Sequence, residues 1–209
     1  MVEYNRKEAL RYLGAKPDDK QTEILVDVAY LKLRNELQPR HIIQKHSCKI
    51  DGEGITLDCG VRFNSRDLAR HLKGCNEVLL LAATLGSRVD IGIRRTALES
   101  VAEGAAAQAV GAALIESYCD NVQAAVDTGE LRQRPRFSPG YGDWSLEEQG
   151  LLFSVLNCSK NIGLSLTDGM MMAPSKSVTA VIGLSKDVAC VWNKCMTCGN
   201  KNCPYREEK

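Results

Sequence analysis

Val78-Leu79-Leu80-Leu81-Ala82-Ala83 is a continuous apolar run, bounded by Cys75-Asn76-Glu77 before it and Thr84-Leu85-Gly86 after it. A short unbroken run of this kind predicts a strand buried on both faces rather than an amphipathic surface strand. Working backward, His41 to Ile50 and Gly54 to Cys59 predict two strands joined at Asp51-Gly52, a hairpin signal. Ser65 caps a predicted helix from Arg66 to Lys73. Two helices are predicted before the hairpin. Asn5 to Leu13 ends at Gly14. After the Lys16-Pro17-Asp18-Asp19 turn, Gln21 to Leu37 runs on to a stop at Pro39.

Working forward, one long helix is predicted from Ser87 to Asp127, with a tract of small residues from Ala102 to Ala113. Small residues on helices ordinarily serve close packing, and that reading is preferred here to room for a bulky ligand. Arg132 to Asp143 reads as a loop. Ser145 and Glu148 form an S-x-x-E capping-box pair opening a helix to about Asn157. Leu164 to Met172 and Ser177 to Ser185 predict two strands joined through Ala173-Pro174-Ser175-Lys176. Helices and strands mix without strict alternation. The expected class is therefore α+β, a mixed and mainly antiparallel twisted sheet with flanking helices, in one domain over 1–189 followed by a cysteine-rich tail over 190–209.

Composition narrows the function classes. The chain has 209 residues, 44% apolar and 25% charged, enough for a sizeable core. Twenty-seven basic residues against 26 acidic ones, with only 5% aromatics, argue against nucleic-acid binding. The start lacks a signal-peptide layout, and no apolar run reaches the roughly 18 residues of a membrane span. A cytoplasmic protein with no membrane partner is the expectation. The G-x-G-x-x-G, P-loop, H-E-x-x-H and D-x-H-x-x-G patterns are all absent, and His41, His46 and His71 stand apart in sequence. They read as ordinary surface or core histidines.

Two segments carry chemistry. In Arg136-Phe137-Ser138-Pro139-Gly140-Tyr141, followed by Gly142-Asp143-Trp144, Pro139 stiffens the loop and Gly140 lets a ligand approach the backbone. Arg136 suits a carboxylate and Tyr141 a sulfonium cation. By spacing alone, a surface β-turn with one aromatic packed inward is the commoner use of such a segment. The second segment is Cys190-x4-Cys195-x2-Cys198-x4-Cys203. Four clustered thiols suit zinc or an iron–sulfur cluster, with a loose tail of reactive thiols as the alternative. Cys48, Cys59, Cys75, Cys119 and Cys158 are scattered and mostly read as buried hydrophobes.

The R-x-x-x-G-Y loop resembles the S-adenosylmethionine motif of the activation domain of vitamin B12-dependent methionine synthase. Met172-Ala173-Pro174-Ser175-Lys176-Ser177-Val178-Thr179 resembles that family's M-x-P-x-x-S-V-S strand entry. The likeness spans roughly Ala97 to Leu184, and the chain looks more like the free-standing homologues than the fused domain. The resemblance implies the family's α+β fold and S-adenosylmethionine binding. Arg136 would hold the methionine carboxylate, Ser138 would turn its backbone to the adenine, and Pro139, Gly140 and Tyr141 would line the site. The family's P-G-Y-P-A-C is Pro139-Gly140-Tyr141-Gly142-Asp143-Trp144 here. A family tyrosine falls near Ile182. A helix glutamate falls on Ala112, with Glu116 one turn later as a substitute. The implied function is reductive remethylation of cob(II)alamin on a corrinoid-binding methyltransferase that lacks its own activation domain, with a separate electron donor. If an enzyme at all, the chain would be part of methionine synthase activity acting in trans. The alternative is a scaffold or an electron-transfer module using an iron–sulfur or zinc site in the tail.

Overall fold

The computed structural model describes residues 2–16 and 19–186. Seven helices and eight strands form within them: α1 Arg6–Leu13, α2 Lys20–Leu33, β1 Arg40–Ile50, β2 Gly54–Leu57, β3 Arg62–Asn64, α3 Arg66–His71, β4 Glu77–Thr84, α4 Ser87–Glu99, α5 Val101–Ala124, β5 Arg132–Gln133, α6 Gln149–Leu156, α7 Cys158–Ile162, β6 Ser165–Leu166, β7 Met172–Ala173 and β8 Ser177–Ser185. Six strands make one sheet in the order β3-β2-β1-β4-β8-β5, and every pairing in it is antiparallel. The expected α+β class with a mainly antiparallel sheet holds.

The apolar run is the centre of this sheet. β4 pairs with β1 from Arg40↔Thr84 to Ser47↔Glu77, and with β8 from Thr84↔Ser177 to Glu77↔Leu184. Alternate residues then serve two cores. Leu79, Leu81 and Ala83 pack with α1, α2, α4 and α5, while Val78, Leu80 and Ala82 pack with α3, α6, α7 and Trp144. Both faces of the sheet are covered, so the strand that supplies both cores is apolar throughout.

Several elements depart from the sequence reading. The helix expected over 87–127 is two helices, broken at Ser100. That residue is extended (φ −155°, ψ 129°), and its side chain accepts from the Glu103 N–H. Ser100-Val101-Ala102-Glu103 is itself an S-x-x-E signal, and a serine that bonds forward to the backbone ends one helix and starts the next. The bend folds α4 against α5 so closely that a Cβ on Gly104 would lie 2.7 Å from the Ala97 Cα. The small-residue tract therefore serves packing. α2 ends at Leu33, because the Glu36 N–H turns back to the Leu33 carbonyl in a tighter turn. Leu164 to Met172 is the β6–β7 hairpin rather than one strand. The short β3, β5 and α7 are too brief to leave a periodic signal.

Ser145 does cap, but over a 3-10 turn (Leu146–Glu148) ahead of α6. Glu148 does not close a capping box. Its carboxylate accepts from the Asn64 N–H and from Trp144 Nε1, both at 2.9 Å, and ties the loop before α6 to β3.

Candidate functional site

The edge of β8 positions the loop. β5 pairs with β8 through Arg132↔Ser185 and Gln133↔Leu184, and the Arg134 N–H continues to the Gly183 carbonyl at 2.8 Å. Phe137 and Val181 then exchange both backbone bonds (2.9 and 2.8 Å). Between these two points, Pro135 and Arg136 on the loop side stand opposite Ile182 alone on β8. Two residues against one make a bulge, with the proline at a position where no donor is needed. The bulge turns Arg136 out of the strand alternation and toward α5.

There the guanidinium meets a face of α5 built from residues three and four apart. Arg136 Nη2 donates to Glu116 Oε2 at 2.7 Å. Nη1 lies 2.8 Å from Asp120 Oδ1 and 3.0 Å from Gln123 Oε1. The Arg136 side chain is 10% exposed. Burial works against its charge, but Asp120 and Glu116 outweigh burial and raise its pKa. One cation between two carboxylates gives this cluster a formal charge of about −1 at neutral pH. From α1, Tyr12 feels the charge of Glu116, and burial together with that charge pushes its phenol up to about 12.

The cluster borders an open cavity of about 780 Å³. Ser138, Pro139 and Tyr141 form one side, and Gln149, Met172 and Thr179 are further along the wall. Ser138 to Tyr141 is a tight turn. The Tyr141 N–H reaches the Ser138 carbonyl at 3.1 Å, and Gly140 sits at φ +88°, the conformation that position i+2 of a type II turn requires. Tyr141 is 56% exposed and stands edge-on to Phe137 at 6.0 Å. Because Val181 turns both its backbone groups to Phe137, Thr179, two residues earlier, presents its amide and carbonyl along the same edge, beyond the point where the loop leaves it. Gln149 is buried and braces this end, donating to the Met170 carbonyl at 3.0 Å and accepting from Thr179 Oγ1 at 3.3 Å.

The family model for the vitamin B12-dependent methionine synthase activation domain matches residues 123–200. Among solved structures, the crystal structure of the MetH reactivation domain bound to AdoHcy superposes with a TM-score of 0.64 at 18% identity, over 85% of this chain and 69% of that one. The chain is a homologue of the methionine synthase activation domain. No curated protein sequence matches it.

In this activation-domain homologue, the loop residues that depart from the family motif have structural work. Asp143 accepts from Ser65 Oγ at 2.5 Å and from the N–H groups of Arg66 and Asp67 at 3.0 and 3.1 Å, so it caps α3 from across the chain. These bonds hold its carboxyl below the usual range, Ser65 foremost. Trp144 is buried against Phe63 at 5.3 Å. The loop is therefore pinned at both ends, with Tyr141 left outward.

Of the residues singled out from sequence, Arg136, Ser138, Pro139, Tyr141 and Glu116 border the same cavity, and Gly140 shapes its turn. Asp120, Gln123, Gln149 and Thr179 were missed. Asp120 had a signal, since it follows Glu116 by one helical turn. Gln149 and Thr179 had none, because their meeting is tertiary. Ile182, where a family tyrosine falls, is fully buried in the α1/α2/α4/α5 core and does not border the cavity. Cys190, Cys195, Cys198 and Cys203 lie outside the described residues. Cys48, Cys75, Cys119 and Cys158 are buried and Cys59 is exposed. Among the described residues, no helix is long and apolar enough to cross a membrane.

Proposed function

We propose that this cavity binds S-adenosylmethionine and that the protein uses it to remethylate an oxidised corrinoid on a partner methyltransferase. The observation that carries the reading is Arg136 held between Glu116 and Asp120 beside a cavity of small-molecule size. An amino-acid end needs a cation for its carboxylate and an anion for its ammonium, and the cluster offers both. S-adenosylmethionine carries a net charge of about +1 and S-adenosylhomocysteine about 0, by the ordinary ionisation of their groups. A negatively charged cluster therefore favours the sulfonium form. At about 6 Å and an effective dielectric near 20, one extra charge is worth roughly 3 kcal/mol before screening, so about 1–2 kcal/mol is a fair net figure.

The ligand supplies an activated methyl group. Arg136, Glu116 and Asp120 orient its amino-acid end, and the Ser138 and Thr179 backbones offer polar groups to its base. In the reaction, cob(II)alamin takes one electron from a separate donor to become cob(I)alamin. That cobalt then attacks the sulfonium methyl, giving methylcobalamin and neutral S-adenosylhomocysteine. Loss of the positive charge weakens the product's hold on the cluster and favours release. Exposed Tyr141 and Leu146 at the cavity suit an apolar macrocycle face. The likeness to a reactivation domain solved with AdoHcy supports the ligand class.

Calorimetric titration with both ligands tests the reading. S-adenosylmethionine should bind about five- to thirtyfold more tightly than S-adenosylhomocysteine, and Asp120→Asn should narrow that ratio. Tighter binding of S-adenosylhomocysteine, or no binding of either, contradicts it.

A further inference from the structure

The far side of the sheet carries a second cluster of chemistry-bearing side chains. β1 and β2 pair down to Cys48↔Leu57, and the pairing runs one step further: the Asp58 N–H reaches the Ser47 carbonyl at 3.0 Å, and Asp58 Oδ2 accepts from the Ser47 N–H at 3.0 Å. There the chain turns: the Gly60 N–H closes on the Leu57 carbonyl at 3.0 Å, so Asp58 and Cys59 are the two central residues of a β-turn that lies beside His46 of β1. Gly60, at φ +85°, then turns the chain toward β3. His46 Nδ1 lies 2.6 Å from Asp58 Oδ1, and its side chain is 13% exposed. One ligand atom each from His46, Asp58 and Cys59 lie within 4.8 Å of one another.

We propose that His46, Asp58 and Cys59 form a binding site for a zinc-class divalent cation. An imidazole nitrogen, a carboxylate oxygen and a thiolate sulfur are a borderline-soft donor set, which suits zinc or cobalt and not magnesium or calcium, whose ligands are oxygens. Bond lengths of about 2.0–2.3 Å place tetrahedral donors roughly 3.3–3.8 Å apart. Rotation of the exposed Cys59 side chain closes the remaining gap. The backbone ladder fixes two of the three donors before any metal arrives. Three protein ligands leave the fourth position to water or a small anion. The site is separate from the Arg136 cavity, since β1 and β4 lie between β2 and β8.

The test is cobalt(II) titration of the full-length chain under reducing conditions, with Cys190, Cys195, Cys198 and Cys203 changed to serine so that their thiols do not contribute. One equivalent should bind with a sulfur-to-cobalt charge-transfer band. Cys59→Ser should abolish that band, and His46→Ala should weaken binding at least about tenfold. Absence of the band, or its survival in Cys59→Ser, overturns the proposal. A second measurement uses the unaltered chain: zinc should shift the His46 ring resonances in NMR spectra, and unshifted resonances at saturating zinc overturn it equally.

Discussion

Arg136 concentrates the chemistry of the cavity in one side chain. Its guanidinium is nearly buried, and both terminal nitrogens are engaged by α5. Arg136→Ala removes the only charge-assisted donor set that faces Glu116 and Asp120 among the described residues that border the cavity. A ligand carboxylate then meets two like charges. The loss should be about 1.5–3 kcal/mol, or roughly ten- to over a hundredfold in S-adenosylmethionine affinity, read by calorimetry. Equal affinity in wild type and variant contradicts the assignment. At this scale the sequence is informative where chemistry is local. Arg136 and the Pro139-Gly140 turn are legible as a stiff loop because proline and glycine act through their own dihedrals. The bulge that aims Arg136 is not legible, because it depends on the register against β8.

Elements follow the same division. Ser65 and Ser145 make the side-chain cap bonds expected of them, whereas Asn5, read from sequence as the first helical residue, is the cap of α1. The break at Ser100 escapes the sequence reading because apolar spacing continues through it, although its cap signal is equally local. The tight α4–α5 crossing makes a clear prediction. Gly104→Val should destabilise the fold by about 1–3 kcal/mol in urea unfolding, since its Cβ would meet the Ala97 backbone rather than a flexible side chain. Unchanged stability would show that the helices can separate freely. α3 yields a pH prediction. Asp143 has a lowered folded pKa, so its contribution is present above the unfolded carboxyl value of about 3.9 and is lost as pH falls through the folded value. Asp143→Asn should therefore lower Tm near neutral pH, and the gap should narrow in acid. A gap that stays constant down to about pH 2 contradicts the ionic cap.

For the whole molecule, the doubly covered sheet explains why the central strand announces itself so clearly and the edge strands do not. β4 serves two cores and is apolar throughout, whereas β3 and β5 are short and lie at the two edges. The cavity forms where the loop leaves the β8 edge, so it combines α5, the loop that follows it in the chain and the more distant start of β8. That assembly is what the proposed function uses. It is tested most directly by a spectroscopic assay with a purified corrinoid methyltransferase in its cob(II)alamin state, supplied with S-adenosylmethionine and a reductant. Following loss of cob(II)alamin and gain of methylcobalamin, the account predicts that this protein accelerates remethylation and that Arg136→Ala does so far less. Methylcobalamin forming equally fast with and without the protein would contradict it.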